Sequence, residues 1–272
     1  MKIIALGMGV QSSCLYLMSS MGEFERADHA VFSDPMSEHP KTYKFVKWLL
    51  NWQKENNGIP IHINKNNIAK DLLNPREMVT KPNNFYYPAL PMFFESNKGT
   101  DAIGRRQCTA KYKIEPTERK VRELMGLKKN QRWTRCEFWL GISIDEAQRM
   151  KDSGHNMKIN RYPLMEMMMS RQDCINWFKE KEFNVPYKSS CVFCPFHSNK
   201  QWIEMKKSKK VWKNIVKIDK SLRNRKGDYY KNNTLKGYLH SSQKPIDEVD
   251  FNENQMDLFD GFGNECEGHC GI

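Results

Sequence analysis

The chain has 272 residues, 39% of them hydrophobic and 28% charged, with 44 Lys and Arg against 32 Asp and Glu. That length can bury the core of one large α/β domain with an extension, or of two small domains, and the composition excludes a membrane-embedded or disordered chain. No apolar run reaches the ~20 residues of a bilayer span, and Gln11, Ser12 and Ser13 interrupt the short apolar start, so a cytoplasmic protein without a membrane partner is expected.

Residues 2–6 read as a short buried strand. The turn Gly7-Met8-Gly9 follows, then a helix from about Gln11 with Cys14, Leu15, Leu17 and Met18 at its apolar positions. Ala30, Val31 and Phe32 form a second strand ending at Ser33 and Asp34. Residues 42–52 are a helix with Phe45, Val46, Trp48 and Leu49 on one side, and residues 59–63 are a third strand. This alternation with short links predicts an α/β fold with a Rossmann-like, doubly wound parallel sheet. Residues 66–104, rich in Asn, Pro and aromatics, read as a long loop or lid with some helix. Residues 115–125 are helical with Pro116 in a tolerated first-turn position, and 138–142 are a fourth strand. A further helix begins at Asp145, and Ser170 caps one over 171–181. Residues 187–197 form a cysteine loop, 198–225 are helical and basic, and beyond about 226 a polar, acidic tail is expected. The organisation predicted is an α/β domain over 1–185, including the lid, and a cysteine-bearing helical and loop extension over 186–272.

Three features carry chemistry. The first is the strand–glycine turn–helix of Gly7, Gly9, Gln11, Ser12 and Ser13. Glycines admit an anion close to the backbone, and the helix N-terminus presents N–H groups and a favourable dipole. By itself this is also an ordinary tight turn. The second is the cysteine set. Eight cysteines in a cytoplasmic chain do not suggest a disulfide framework. Cys14, Cys136 and Cys174 read as core, which leaves Cys108, the pair Cys191 and Cys194, and the pair Cys266 and Cys270. A Cys-x-x-Cys loop gives two thiolates to one metal, and distant cysteines can complete the site. Structural zinc with His197, or a redox dithiol, are the alternatives. The third is charge. A formal +12 favours polyanions, while Lys206, Lys207, Lys209 and Lys210 also suit a solvated face. Arg105, Arg106 and Arg149 are candidate clamps for phosphate or sulfate oxygens.

The loop resembles the phosphate loop of ATP pyrophosphatases and phosphoadenosine phosphosulfate (PAPS) reductases, usually Ser-Gly-Gly-x-Asp-Ser. Gly9 and Ser12 match, while Gln11 stands for the Asp and Gly7 for the first Ser. Val31 to Asp34, followed by Glu38, Pro40, Thr42 and Tyr43, is similar to the family's second strand and next helix, where the strand end contacts adenosine. Gly141-Ile142-Ser143-Ile144-Asp145-Glu146, ending at Arg149, resembles its Gly-Ile-Arg-x-x-Glu-Ser-x-x-Arg. Cys108 in Arg106-Gln107-Cys108-Thr109 resembles the first cluster cysteine of APS reductases and the Arg-x-Cys-Thr of the sulfur-activating subunit of DNA phosphorothioation systems. The tail Glu265-Cys266-Glu267-Gly268-His269-Cys270 resembles the reductases' Glu-Cys-Gly-x-His, with a Glu inserted.

The resemblance, in motif order over roughly residues 3–200, implies an adenine nucleotide alpha hydrolase-like PP-loop domain. It implies ATP or another adenine nucleotide at Gly7, Gly9, Gln11, Ser12, Ser13 and Asp34, with Arg105, Arg106 and Arg149 as clamps and Mg2+ as a companion ion. It also implies a [4Fe-4S] cluster, or zinc, at Cys108, Cys191 and Cys194 with Cys270 as fourth ligand, and Cys266 or Cys270 as a catalytic thiol. Three functions follow. One is sulfur transfer or adenylation on a nucleic acid, tRNA or DNA, fed by a sulfur-donor protein. The second is a thioredoxin-linked PAPS or APS reductase. The third is a non-catalytic nucleotide-binding subunit of a larger complex.

Overall fold

A computed structural model of the chain describes residues 1–79, 81–86, 90–94, 102–104, 106–223 and 236–251. In chain order its elements begin with β1 (Lys2–Ala5), α1 (Val10–Met21), β2 (His29–Asp34), α2 (Pro40–Glu55) and β3 (Ile61–Lys65). Next come α3 (Ile68–Leu73), β4 (Arg76–Met78), β5 (Lys81–Tyr86), β6 (Phe93–Phe94) and β7 (Ala102–Ile103). A π-helical turn, Ala110–Ile114, runs into α4 (Glu115–Leu124), and β8 (Cys136–Leu140) leads to a 3₁₀ turn, Ile144–Arg149. The chain continues with β9 (Lys158–Arg161), α5 (Pro163–Glu166), α6 (Arg171–Glu180), α7 (Asn199–Lys206), α8 (Lys209–Arg223) and β10 (Gly237–Tyr238). Backbone contacts divide the chain into two units. Unit 1 holds Met1–Asn66 and Thr109–Ser190, and unit 2 holds Asn67–Cys108 and Cys191–Asn264.

Unit 1 is an α/β sandwich on a five-stranded sheet of order β3-β2-β1-β8-β9, parallel at every pairing. Successive side chains on a strand point to opposite faces, and the sequence fills both with apolar residues. Ile4, Ala30, Phe32 and Trp139 share one core with residues of α1, α2 and α6. Ile3, Val31, Cys136 and Phe138 pack on the other face with Val121 of α4. Local signals set the helix ends. Pro40 opens α2 behind His39, and Ser170 and Asp173 close a capping box on α6. Gly22, at φ 80°, ends α1.

The coarse expectation of an α/β fold with a parallel sheet holds. Its edges move where backbone chemistry decides them. The third strand starts at Ile61 rather than Ile59, because Pro60 has no N–H to give the ladder; its carbonyl instead accepts from Ala30 N at 2.9 Å. The helix expected from Asp145 is instead a short 3₁₀ segment, Ile144–Arg149, kinked at Glu146, whose φ/ψ are not helical.

Unit 2 contains the antiparallel hairpin of β4 and β5 and a three-stranded sheet of order β10-β6-β7. The stretch expected as a loop or lid thus carries α3 and four short strands. The basic segment expected to be helical over 198–225 carries two helices, α7 and α8. Its fixed point is Asp219, a fully buried carboxylate on α8 that accepts from Leu239 N at 3.3 Å and Ile246 N at 3.0 Å and pairs with Arg223. Among the described residues, no helix is long and apolar enough to cross a membrane.

Candidate functional site

The sheet order of unit 1 reverses at β1. The chain steps outward through β2 and β3, then returns to place β8 on the other side of β1. In parallel α/β sheets the crevice beyond the carboxyl ends of two such strands is where ligands bind. The β1–α1 loop and the segment after β8 meet at this point. A Cβ on Gly141 would lie 2.6 Å from both Ser12 Cα and Ser12 N, so only glycine lets the β8 end approach the α1 backbone this closely.

The loop itself is ordered by its own polar groups. Gly7 N donates to Ser12 Oγ at 3.1 Å, and Ser13 N donates to Gly9 O at 3.1 Å. Met8, fully buried, holds φ 61°, a left-handed conformation costly for a side-chain-bearing residue. Gly9 is extended and forms the N-cap of α1, whose first turn carries no acidic residue. The positive end of the helix dipole is therefore not neutralised by its own side chains.

Gln11 stands where the resemblance expects a carboxylate, and it is fully buried. Its Nε2 donates to Ser143 Oγ at 2.9 Å and to Glu146 Oε2 at 2.7 Å. Arg149 Nη1 reaches the same Glu146 oxygen at 2.6 Å. The Ser143 hydroxyl donates to Asp145, which also takes the N–H of Arg171 at 3.0 Å. Two buried oxygens of the loop helix, Gln11 Oε1 and Ser13 Oγ, have no hydrogen-bond partner among the described residues. A buried polar atom left unpaired costs about 1–3 kcal/mol.

A second group gathers beyond β2. Asp34 Oδ1 accepts from Met36 N at 2.7 Å and from the Tyr43 hydroxyl at 2.9 Å, so it shapes this turn. Burial, then the Asp34 carboxylate, holds the Tyr43 phenol well above its ordinary range. Glu38 is buried and accepts from Lys113 Nζ at 3.2 Å and Ser189 Oγ at 3.1 Å. Lys113 sits on the π-helical turn, a kind of irregularity that recurs at functional sites. With Gly7, Ser33 and Thr117 it lines a small open cleft at the carboxyl ends of β1 and β2. The hydroxyls of Ser37 and Thr42, also buried, lack partners among the described residues.

Unit 1 therefore brings together Gly7, Gly9, Gln11, Ser12, Ser13 and Arg149, with Asp34 in the neighbouring loop. Glu146 and Ser143, and the Glu38–Lys113 pair, are the partners that sequence reasoning left unconnected. In unit 2, Arg106 lies over the Phe196 ring at 5.5 Å. Cys191 to His197 form a tight turn: Cys194 N donates to Cys191 O at 2.9 Å, and His197 N to Cys194 O at 3.2 Å. His197 Nε2 faces the Cys191 carbonyl at 2.8 Å, so that nitrogen carries the proton; Nδ1 lies 3.4 Å from Gln201 Oε1. Among the described residues, no group of three or more His, Cys, Asp or Glu side chains could hold a metal ion. Arg105, Cys266 and Cys270 lie outside those residues. Cys14 and Cys174 are fully buried, and their mutual hydrogen bond, then burial, pushes the Cys14 thiol far up, so it stays protonated and unreactive.

No family model matches the chain. It is similar to the uncharacterized nin region protein ORF290 of Escherichia phage lambda, 27% identical over 188 residues, which cover 66% of this chain and 60% of that protein.

Proposed function

We propose that unit 1 binds ATP or another adenine nucleotide at the β1–β8 switch point, and that the protein uses it to adenylate an acceptor oxygen, with nucleic acid as acceptor and sulfur as the incoming group. One observation supports this most: the Ser13 hydroxyl is buried, unpaired among the described residues, and stands in the first turn of α1, directly after the glycine loop at the carboxyl end of β1. A phosphate chain there would receive loop N–H groups and the unopposed helix end. Ser13 would donate to a phosphate oxygen. Glu146 would hold Arg149, a guanidinium able to take two phosphate oxygens at once. The finer class, an adenine nucleotide alpha hydrolase-like PP-loop domain of the PAPS reductase family, belongs to the same proposal.

In the reaction, the acceptor oxygen attacks the α-phosphorus and pyrophosphate leaves. A sulfur nucleophile then displaces AMP from the activated carbon or phosphorus. Cys108, Cys191 and Cys194, with Cys270, are the thiolates proposed for a [4Fe-4S] cluster, with zinc as the alternative metal. Cys266 or Cys270 is the proposed nucleophile: carrying a persulfide supplied by a sulfur-donor protein, it attacks through the outer sulfur as AMP leaves, and the other thiol then cleaves the S–S bond, releasing the thiolated acceptor and leaving a disulfide. Among the described residues, no group of three or more His, Cys, Asp or Glu supports that centre.

Anaerobic protein should release pyrophosphate from ATP and contain iron and sulfide, which Cys191→Ser and Cys194→Ser should remove. Stoichiometric zinc without sulfide would overturn the cluster. Sulfite release from PAPS would assign a sulfonucleotide reductase instead. A second reading, a nucleotide-binding subunit without turnover, is favoured by the amide of Gln11 in place of the loop carboxylate. ATP binding with no pyrophosphate release under any acceptor would establish it.

A further inference from the structure

Helix α8 carries five lysines, Lys209, Lys210, Lys213, Lys217 and Lys220, all exposed. At about 100° per residue they fall within an arc of ~100°. The residues α8 buries, Ile215, Ile218, Asp219 and Leu222, fill the opposite arc. Asp219 is the helix's single acidic residue and faces inward, so the outward stripe has no negative side chain of its own. Among the described residues Lys220 alone of the five makes an ion pair, 3.7 Å from Asp247 with both side chains largely in solvent. A merely solvated helix face ordinarily alternates signs, because like charges three or four residues apart repel. This one concentrates a single sign on a helix fixed from behind by the backbone N–H groups of Leu239 and Ile246.

We infer that this stripe is a docking surface for the phosphate backbone of duplex DNA. The inference rests on the proposed nucleic-acid acceptor and adds where that acceptor is held. From Lys209 to Lys220 the stripe spans ~16 Å at 1.5 Å per residue. One DNA strand carries about five phosphates over that length. The only aromatic residue of α8, Trp212, lies outside the arc and packs edge-on against Phe251 at 6.0 Å. The surface therefore offers charge without a platform for stacking exposed bases, which single-strand binding uses. Lysine point charges at helical spacing hold a backbone without reading its sequence.

The test is fluorescence anisotropy of a 20-bp DNA duplex with the full chain between 50 and 200 mM salt, beside calorimetric ATP titration. Each neutralised phosphate contributes about 0.9 to the slope of log affinity against log salt. The variant K209Q/K210Q/K213Q/K217Q/K220Q is expected to lower that slope by about 4. The control K44Q/K47Q/K54Q/K65Q/K179Q removes the same charge from exposed positions of unit 1 and is expected to change it by less than about 1. ATP binding is expected unchanged in both. If the fivefold variant fails to fold, K213Q/K217Q is expected to lower the slope by about 2. An unaltered slope in the stripe variants, or an equal loss in the control, overturns the surface while leaving the nucleotide site standing. Tighter binding to the matched single strand, or stripe-dependent binding to phosphatidylserine vesicles with none to duplex, also overturns it. Absence of ATP binding by the wild-type chain overturns the nucleotide reading whatever the duplex slope shows.

Discussion

Gln11 and Gly141 set the geometry of the candidate site. Gln11 gives both amide hydrogens to groups more than 130 positions away, Ser143 and Glu146. Replacing it by Glu would set a second carboxylate against Glu146 in a buried place where Arg149 already pairs with Glu146. Gln11→Glu is expected to destabilise the chain by about 3 kcal/mol or more in urea unfolding. An equally stable variant would mean that Glu146 is not held as described. Gly141→Ala puts a methyl against the Ser12 backbone, where nothing flexible can yield. It should cost about 1–3 kcal/mol and weaken ATP binding by shifting the loop. Unchanged ATP affinity would show that β8 does not brace the loop. The sequence displays the glycines and the Gln-for-Asp exchange. It does not display that Met8, between the glycines, is the residue in left-handed conformation, nor which carboxylate Gln11 finds, because both depend on contacts far along the chain.

At the scale of elements, alternating apolar runs made β1, α1, β2 and α2 legible, because local periodicity and burial agree there. They failed where a polar contact overrides periodicity. The 3₁₀ segment Ile144–Arg149 is kinked where Glu146 leaves helical geometry, and the Glu146 carboxylate is the one that meets Gln11 and Arg149. The π-helical turn that carries Lys113 has no sequence signal, since its extra residue matters only once Lys113 meets Glu38. The β2–β3 pair also carries a pH dependence. His62 Nε2 lies 3.2 Å from His29 Nδ1, and burial, then the neighbouring imidazole, lowers His62 below its ordinary 6.5. The unfolded chain therefore takes up this proton first as pH falls. Stability from His62 is present above about pH 6.5 and is lost as pH drops through the folded value. Urea midpoints between pH 5 and 8 should rise with pH more steeply in the wild type than in His62→Gln. Parallel curves would remove His62 from the account.

Four of the five parallel strands of unit 1 were readable as contiguous apolar runs, whereas β9, with every residue half-buried, left no such run. Unit 2 joins 67–108 to 191–264 through two-residue strands, Phe93–Phe94, Ala102–Ile103 and Gly237–Tyr238, too short to leave a period in the sequence. The total charge of +12 was visible from composition, but not that five of its lysines line one side of a single helix. The proposed site of unit 1 requires that an adenine nucleotide enter the Gly7–Ser13 loop. Calorimetric titration of ATP into the wild type and into Gly9→Val, with circular dichroism to verify folding, measures this most directly. Saturable binding by the wild type, lost in a folded Gly9→Val because the side chain blocks backbone approach to phosphate, is the predicted result. Equal ATP affinity in the two folded proteins, or no binding by the wild type, would contradict it.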